Sequence, residues 1–304
     1  MKIFGSKIVR WICVAALVAI ALSVSSQAVF ADQKIEGFTT NERLFLIQNY
    51  LNRGFNDEFL EEIFYDQRLK KFPSAIRKNV NNQVSTRAYE DFTKSHAVKT
   101  AHRFSRRWRT LLSKASKKFN VDKEVLVAIF LIETSLGSYL GDYPVISVFS
   151  SILVSNYAEN LKGTKDGTLS PEEEYLRERL EKKAAWADKE LEALLKITLK
   201  TKQNPFGLKG SYAGAFGIPQ FLPSSYMKWG FDSDKNGSVN IFLVPDAIYS
   251  TANYLNAHGW EKGLHLKSNE KVIWKYNNSN LYVNTVLSVA KKIRKISLFR
   301  KENI

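Results

Sequence analysis

Apolar residues recur every three or four positions through most of the chain, and this spacing predicts α-helices. Leu44, Ile47 and Leu51 show it in the first predicted helix, and residues 97–118 carry it again as one longer helix. Patterns that alternate every second residue, as in strands, are rare, and residues 271–276 are the best candidate. We therefore expect a mainly α-helical protein with little β-structure.

The most apolar of the predicted helices covers residues 125–133. It is apolar on every side, which predicts burial on every side. Asn120 or Asp122 is suited to cap its beginning. Glu133 ends it, one turn after Ile129 on the same helix face. An ionisable group at this position has an apolar environment.

Two further patterns predict the secondary structure of the later part of the chain. Ser170, Pro171 and Glu173 form a capping box, so a long, partly exposed helix is expected to begin there and to reach about residue 200. A glycine-rich loop at residues 207–217 precedes two more helices, at residues 246–258 and 281–294. We expect residues 32–120 to form an N-terminal helical segment packed on a domain of residues 121–296, with a basic tail at residues 297–304.

The first 31 residues are typical of an export signal. Three basic residues precede an apolar run at residues 11–24, and Val29 and Ala31 place small side chains before a cleavage point. An uncleaved membrane anchor is the alternative, although a run of about 14 residues is short for a membrane span. The protein is therefore expected in the periplasm or cell envelope, or outside the cell.

Charge and cysteine content narrow the function classes. The full chain has 304 residues and a net charge of +15; without the signal, 273 residues and a charge of +12 remain. Cys13 is the only cysteine and lies in the signal, so an intramolecular disulfide, a CxxC redox site and a thiolate zinc cluster are excluded. A basic exported protein is attracted to anionic envelope polymers or lipid headgroups. The basic residues follow no nucleic-acid-binding pattern, so nucleic acid is not expected as a partner, and a solvated surface without a specific role is the alternative.

Glu133 is the first candidate for catalysis. Desolvation beside aliphatic side chains disfavours the carboxylate and raises its pKa. A carboxylic acid that is still protonated near neutral pH can serve as general acid in glycosidic bond cleavage. The alternative is a helix-terminal glutamate that reaches solvent or pairs with a lysine.

Two motifs decide between these interpretations. The sequence ETSLG at residues 133–137 and the sequence GSYAGAFGIPQFLPSSY at residues 210–226 resemble the signature motifs of the membrane-bound lytic murein transglycosylases of type B. Shorter matches follow in order, namely DAI, ANY, HGW and YN at residues 246–248, 252–254, 258–260 and 276–277. The resemblance covers about residues 40–295. It implies a lysozyme-like helical domain of the goose-type or SLT-like class.

The resemblance also implies a reaction. Enzymes of this family cleave the MurNAc–GlcNAc β-1,4 bond of peptidoglycan with one glutamate and without a catalytic cofactor. Glu133 would first protonate the leaving oxygen and then, as the carboxylate, deprotonate the MurNAc 6-hydroxyl, so that a 1,6-anhydro ring forms. This differs from the common glycosidases, which use two carboxyl groups. Neither motif contains a second Asp or Glu.

The same resemblance assigns substrate contacts by position. Ser211 and Gln220 would bond the sugar or its acetamido group, Tyr254 and Tyr276 would line the groove, and Tyr89 would support Glu133 or the glycan. Asn277 completes the last motif as a further contact. For each tyrosine taken alone, packing in the core is an equally good interpretation.

Residues 232–240 contain a candidate cation site. Asp232, Asp234 and Asn236 place oxygen atoms at the first, third and fifth positions of a calcium-like loop, and a glycine follows. The twelfth position is a leucine, so the loop alone is incomplete. The resemblance supplies Asp246 as the closing carboxylate and the Ser238 carbonyl as a further ligand. A structural Ca²⁺ is expected, and a metal-free turn is the alternative.

Two other functions remain open at this point. The same glutamate could direct water, which would make the protein a lysozyme-type hydrolase, including one for modified or deacetylated wall. A non-catalytic wall-binding protein with the same fold is the second. The leading expectation is a monomeric transglycosylase that acts on peptidoglycan glycan strands, with peripheral association at the envelope or membrane.

Overall fold

The computed structural model describes residues 36–81, 87–162 and 170–299. The predicted export signal and the last five residues of the basic tail lie outside these ranges. Nearly all regular structure in them is helical, which confirms the predicted class. The helices are α1 (Thr40–Leu51), α2 (Asp57–Phe64), α3 (Pro73–Asn81), α4 (Arg87–Glu90), α5 (Ser95–Arg107), α6 (Arg109–Phe119), α7 (Lys123–Thr134), α8 (Val145–Lys162), α9 (Pro171–Thr201), α10 (Pro223–Trp229), α11 (Val244–Ala257), α12 (Ser268–Tyr276) and α13 (Asn280–Phe299).

Two pairs of very short antiparallel strands join distant parts of the chain. β1 (Glu36–Gly37) pairs with β2 (Lys70–Lys71), and β3 (Tyr143–Pro144) pairs with β4 (Lys209–Gly210). In the second pair Tyr143 lies opposite Gly210. The glycine-rich motif is thereby held against the segment that follows α7.

The structure corrects two helix and strand predictions. The single helix expected at residues 97–118 is two helices, because the backbone at Trp108 leaves the helical region with φ −102° and ψ 20°. The strand expected at residues 271–276 is wrong, since these residues form most of α12. Val272 and Ile273 are buried there while Lys271 and Trp274 are exposed, which is a helical face against α13. A six-residue apolar run does not separate the two periods.

The two predicted caps have different outcomes. The capping box at α9 is confirmed, because the Ser170 hydroxyl accepts a bond from the Glu173 amide and the Glu173 carboxylate accepts one from the Ser170 amide. Asp122 stands at the N-cap of α7, but its carboxylate caps nothing. It instead accepts bonds from the Gly263 amide at 2.7 Å and from Arg294 at 2.5 Å. Arg294 therefore connects α13 to the start of α7.

The buried helix α7 lies at the centre of the fold. Every residue from Glu124 to Ile132 is buried, as the sequence predicts. Helices α5, α6, α11 and α13 contact it, with α13 along most of its length. One hydrophobic cluster extends from Phe38 to Ile293 and so includes the N-terminal helices. Within the described ranges, no helix is long and apolar enough to cross a bilayer.

Candidate active site

Glu133 lies in the last turn of α7, where the buried helix reaches the surface. The chain reverses there through three consecutive residues with positive φ, Ser135, Leu136 and Gly137. Ile132 and Thr134 are buried, whereas Glu133 is partly exposed to solvent. Desolvation of the carboxyl group raises the pKa of Glu133 to about 7. The raised pKa expected from the sequence is therefore found.

Tyr282 is the partner of Glu133, and the sequence analysis did not identify it. Its hydroxyl donates a hydrogen bond to Glu133 Oε1 at 2.6 Å, and this bond opposes the effect of burial on the pKa. The tyrosine is 1% exposed in α13. A tyrosine hydroxyl on the buried face of an apolar helix needs a hydrogen-bond partner, and this is the sequence feature that could have pointed to Tyr282. Only the fold shows that the partner is Glu133, 149 residues away.

Two more tyrosines surround this pair. The Tyr89 ring meets the Tyr282 ring edge-on at 6.4 Å, and the Tyr276 ring stacks parallel to it at 6.4 Å. Burial and the nearby charge of Glu133 raise the pKa of Tyr89 to about 12. The structure thus brings Tyr89 and Tyr276 close to Glu133, and their contacts with a glycan stay a prediction.

Tyr254 lies one layer further inside. It is 6% exposed, its hydroxyl donates to the Lys275 carbonyl at 2.9 Å, and its ring packs edge-on against Tyr276 at 4.9 Å. Burial raises the pKa of Tyr254 to about 12. This tyrosine therefore supports Tyr276 from behind. Tyr276 is fixed in turn by a bond of 2.5 Å from its hydroxyl to the Pro219 carbonyl.

The glycine-rich motif forms the loop beside Glu133. Thr134 Oγ1 donates to the Ile218 carbonyl at 3.0 Å, which ties the loop directly to the end of α7. The Ser211 hydroxyl accepts bonds of 3.3 Å from the amides of Ala213 and Ala215, so it holds the loop in shape while it keeps its own proton for a ligand.

Gln220 has a strained but fixed position in the same loop. Its φ is +51°, and its side-chain amide donates to the carbonyls of Gly217 at 2.9 Å and Leu140 at 3.3 Å. These bonds leave the amide oxygen as an acceptor on a rigid side chain.

Asn277 follows α12 directly and is half-buried. Its backbone N–H donates a hydrogen bond to the Ile273 carbonyl at 3.0 Å.

The candidate cation loop brings three carboxylates together. Ligand atoms of Asp232, Asp234 and Asp246 all lie within 4.8 Å of one another. Asp246 is buried in the first turn of α11 and accepts bonds from the Ser233 and Asn240 amides at 2.9 and 2.7 Å, so its position is fixed.

The other predicted positions of the loop supply only part of the ligand set that a hard cation needs. Asn236 Oδ1 accepts a bond from the Ser238 amide at 2.9 Å, so both predicted residues lie in the same turn. Gly237, with φ +89°, allows that turn. Leu243 at the twelfth position is 57% exposed and offers no side-chain ligand. Three carboxylates are the oxygen donors that Ca²⁺ prefers, and the set needs carbonyl oxygens or water to be complete.

Comparison with known proteins identifies the family. The profile described as the transglycosylase SLT domain matches residues 37–269, which is most of the chain. This chain belongs to the transglycosylase SLT domain family. The matched residues of this SLT-domain protein include Glu133, the glycine-rich loop and the cation loop.

One curated relative and two solved proteins illustrate the likeness. The chain is 28% identical over 236 residues to membrane-bound lytic murein transglycosylase B of Escherichia coli (strain K12), covering 73% of this chain and 58% of that protein. The chain thus spans less than two thirds of that relative's length. The fold resembles the E. coli lytic transglycosylase SLT35 in complex with bulgecin A, with a TM-score of 0.69, 21% identity and coverage of 84% of this chain and 94% of that one.

SLT35 has also been solved in complex with calcium, with a TM-score of 0.68 and 22% identity, at the same coverage of 84% and 94%. SltB3 from Pseudomonas aeruginosa in complex with NAG-anhNAM-pentapeptide has a TM-score of 0.66 and 20% identity, with coverage of 83% of this chain and 78% of that one. These likenesses show that the SLT-domain protein has the same lysozyme-like fold.

Proposed function

We propose that this SLT-domain protein is a peptidoglycan lytic transglycosylase that cleaves the MurNAc–GlcNAc β-1,4 bond. The observation that carries the proposal is Glu133, a carboxyl group with a pKa of about 7 in a wall of tyrosines. Among the described residues, its pKa is set by burial and by Tyr282, with no contribution from a second carboxylate. One group near neutrality can both donate and accept a proton at physiological pH.

The reaction then follows in two balanced steps. Glu133 donates its proton to the glycosidic oxygen, and the bond from that oxygen to C1 of MurNAc breaks. The acetamido oxygen of this MurNAc then bonds to C1. The Glu133 carboxylate next takes the proton of the 6-hydroxyl, O6 bonds to C1, and the acetamido oxygen leaves. The carboxylic acid is regenerated, a 1,6-anhydro end forms, and no water is consumed.

The surrounding residues suit a glycan. We assign Ser211 and the Gln220 amide oxygen to the acetamido and hydroxyl groups beside the cleaved bond, because one can donate and the other can accept. Tyr89 and Tyr276 present aromatic surfaces to the sugar, and Asn277 follows Tyr276 at the same edge. Tyr254 acts through Tyr276. The SltB3 complex with NAG-anhNAM-pentapeptide supports a glycan substrate for the fold.

We further propose that the chain acts in the envelope as a monomer.

We also propose a structural Ca²⁺ site. Its ligands would come from Asp232, Asp234, Asn236, Ser238 and Asp246. The ion would stiffen the turn before α11 and take no part in bond cleavage. The calcium complex of SLT35 supports this assignment. An increase of the melting temperature on addition of Ca²⁺, lost in Asp246→Asn, is the expected result, because a ligand that binds the folded state stabilises it. Indifference to both Ca²⁺ and chelator would contradict it.

The function is tested by the Glu133→Gln variant. We expect the release of soluble fragments from purified sacculi to fall by about 10²–10⁴-fold, since the general acid is lost. Glu178→Gln is the matched control, because Glu178 is exposed on α9 and its ion pair among the described residues is with Lys182. Folding of both variants is checked by circular dichroism. Unchanged release by Glu133→Gln would remove Glu133 from the mechanism.

A further inference from the structure

Helices α5 and α6 carry the most uneven charge distribution in the described chain. Residues 95–119 contain eight Lys and Arg residues and no Asp or Glu. The 31 residues of α9, in contrast, contain eight acidic and seven basic residues, which is a mixed and nearly neutral surface. The positive charge of the protein is therefore concentrated on one pair of consecutive helices.

The charges on α5 lie on one side. Lys99, Arg103, Arg106 and Arg107 are exposed and follow one another at helical spacing, while the opposite face of the helix is buried in the core. Within the described ranges, none of these four side chains forms an ion pair. Their charges are therefore not compensated by any described residue.

The same arrangement continues on α6. Arg109, Lys114, Lys117 and Lys118 are exposed there and also lack an ion pair among the described residues, whereas Leu112 and the rest of the inner face pack into the fold. Together these eight side chains of α5 and α6 are called the basic face. Like charges this close repel each other and cost stability, unless an anionic partner neutralises them.

Trp108 lies in the middle of the basic face. It stands at the break between α5 and α6, is partly exposed, and has the Arg107 guanidinium 5.6 Å from its ring centroid. Tryptophan flanked by basic residues is favoured at the boundary between lipid headgroups and hydrocarbon.

The shape of the basic face indicates whether its partner is a small anion or an extended anionic surface. Two cavities of about 300 and 330 Å³ are lined by residues of other elements and by no residue of the basic face. The two helices, of 13 and 11 residues, follow each other directly along the chain on either side of Trp108, so the basic side chains are spread along an extended length rather than gathered in a pocket. An extended anionic surface fits it better than a small anion.

We propose that the basic face of α5 and α6 docks the protein on bilayers that contain anionic phospholipids, with Trp108 at the headgroup boundary. The inference is independent of the glycan site, since Glu133 and its tyrosines are not part of this surface. Docking would hold the glycan site close to the membrane surface.

The test compares two variants of the full chain with equal charge. The face variant replaces Lys99, Arg103, Arg106 and Lys114 by Gln, and the control variant replaces four exposed lysines elsewhere, namely Lys189, Lys262, Lys267 and Lys271. Each is mixed with phosphatidylcholine vesicles with or without phosphatidylglycerol, and bound protein is measured by sedimentation. The segment of residues 1–31, with its apolar run and three basic residues, is the same in both variants, so its contribution to binding cancels when they are compared.

The face variant should lose about 10²-fold in its preference for phosphatidylglycerol, while the control variant retains it. Equal losses in both variants would mean that net charge alone acts, and no loss in either would mean that the face does not bind lipid; both results overturn the proposal. It is also overturned if the face variant loses binding to soluble poly(glycerol phosphate) but keeps its vesicle binding. Sacculus digestion by the face variant is measured in parallel and should be unchanged.

Discussion

The acidity of Glu133 is set by two opposing effects at the scale of single residues. Burial at the end of α7 favours the neutral acid, and the hydrogen bond from Tyr282 favours the carboxylate. The balance leaves a pKa of about 7, where both forms needed by the proposed reaction are populated. Tyr282 is therefore expected to tune the site without touching the glycan.

Tyr282→Phe should shift the pH dependence of glycan release. Loss of the hydroxyl removes a bond that stabilises the carboxylate, so the pKa of Glu133 rises above about 7. The decline of activity on the alkaline side should then move upward by roughly one pH unit. Tyr249→Phe, a change away from Glu133, should leave the profile in place. An unchanged or acid-shifted decline in Tyr282→Phe would contradict this role.

Glu133 also has a predictable effect on stability. Its pKa is about 7 in the folded chain and 4.5 when unperturbed, so the folded state binds the proton more tightly. The stabilisation is complete at low pH and is lost as pH rises from 4.5 to about 7. Glu133→Gln should therefore be more stable than the parent by about 1–3 kcal/mol near pH 8 and nearly equal to it near pH 4. Urea unfolding at both values measures this, and a pH-independent difference would count against it.

At the scale of elements, the active site depends on how the glycine-rich loop packs against α7 and α8. Gly214 has φ +75°, and a Cβ atom at this position would overlap the ring of Phe149 in α8. The sequence motif therefore requires glycine here for a packing reason in addition to any approach of a ligand.

Gly214→Ala should lower the free energy of unfolding by about 2 kcal/mol or more, because both the backbone conformation and the overlap oppose it. Gly207→Ala is a suitable control, since a Cβ there meets nothing within 4 Å and φ is not positive. Chemical denaturation of the two variants gives the comparison. Equal stabilities would mean that the loop does not pack as described.

The elements also show what could be predicted. Periodicity located α7 and α9, and the capping box located the start of α9, because these signals are local. The break at Trp108 and the helix at Ser268–Tyr276 were missed, since both depend on what the segments pack against. The raised pKa of Glu133 could be predicted from its apolar surroundings, and its selection as the candidate acid needed the motif resemblance. Tyr282 could not be predicted, because only the antiparallel packing of α13 on α7 brings the two residues together.

At the scale of the whole molecule, the N-terminal helices and the site form one continuous core. Arg53 in the turn after α1 pairs with Asp188 and Glu192 of α9 at 2.5 and 2.8 Å, and Tyr50 donates to Asp188 at 3.0 Å. At the other end, Arg294 of α13 pairs with Asp122 and Glu124 at the start of α7. The predicted boundary near residue 120 thus crosses a shared hydrophobic cluster.

The protein should accordingly unfold in a single thermal transition. Calorimetry that yields equal calorimetric and van't Hoff enthalpies would agree with one cooperative unit. Two separate transitions would instead mean that residues 32–120 and 121–296 are independent domains.

The central claim is that Glu133 closes an anhydro ring instead of activating water. Digestion of sacculi in oxygen-labelled water, followed by mass spectrometry of the new MurNAc ends, tests it most directly. We predict fragments with 1,6-anhydro ends, one water lighter than hydrolysis products, and without label. Labelled reducing ends as the main product would contradict the claim and make the protein a hydrolase.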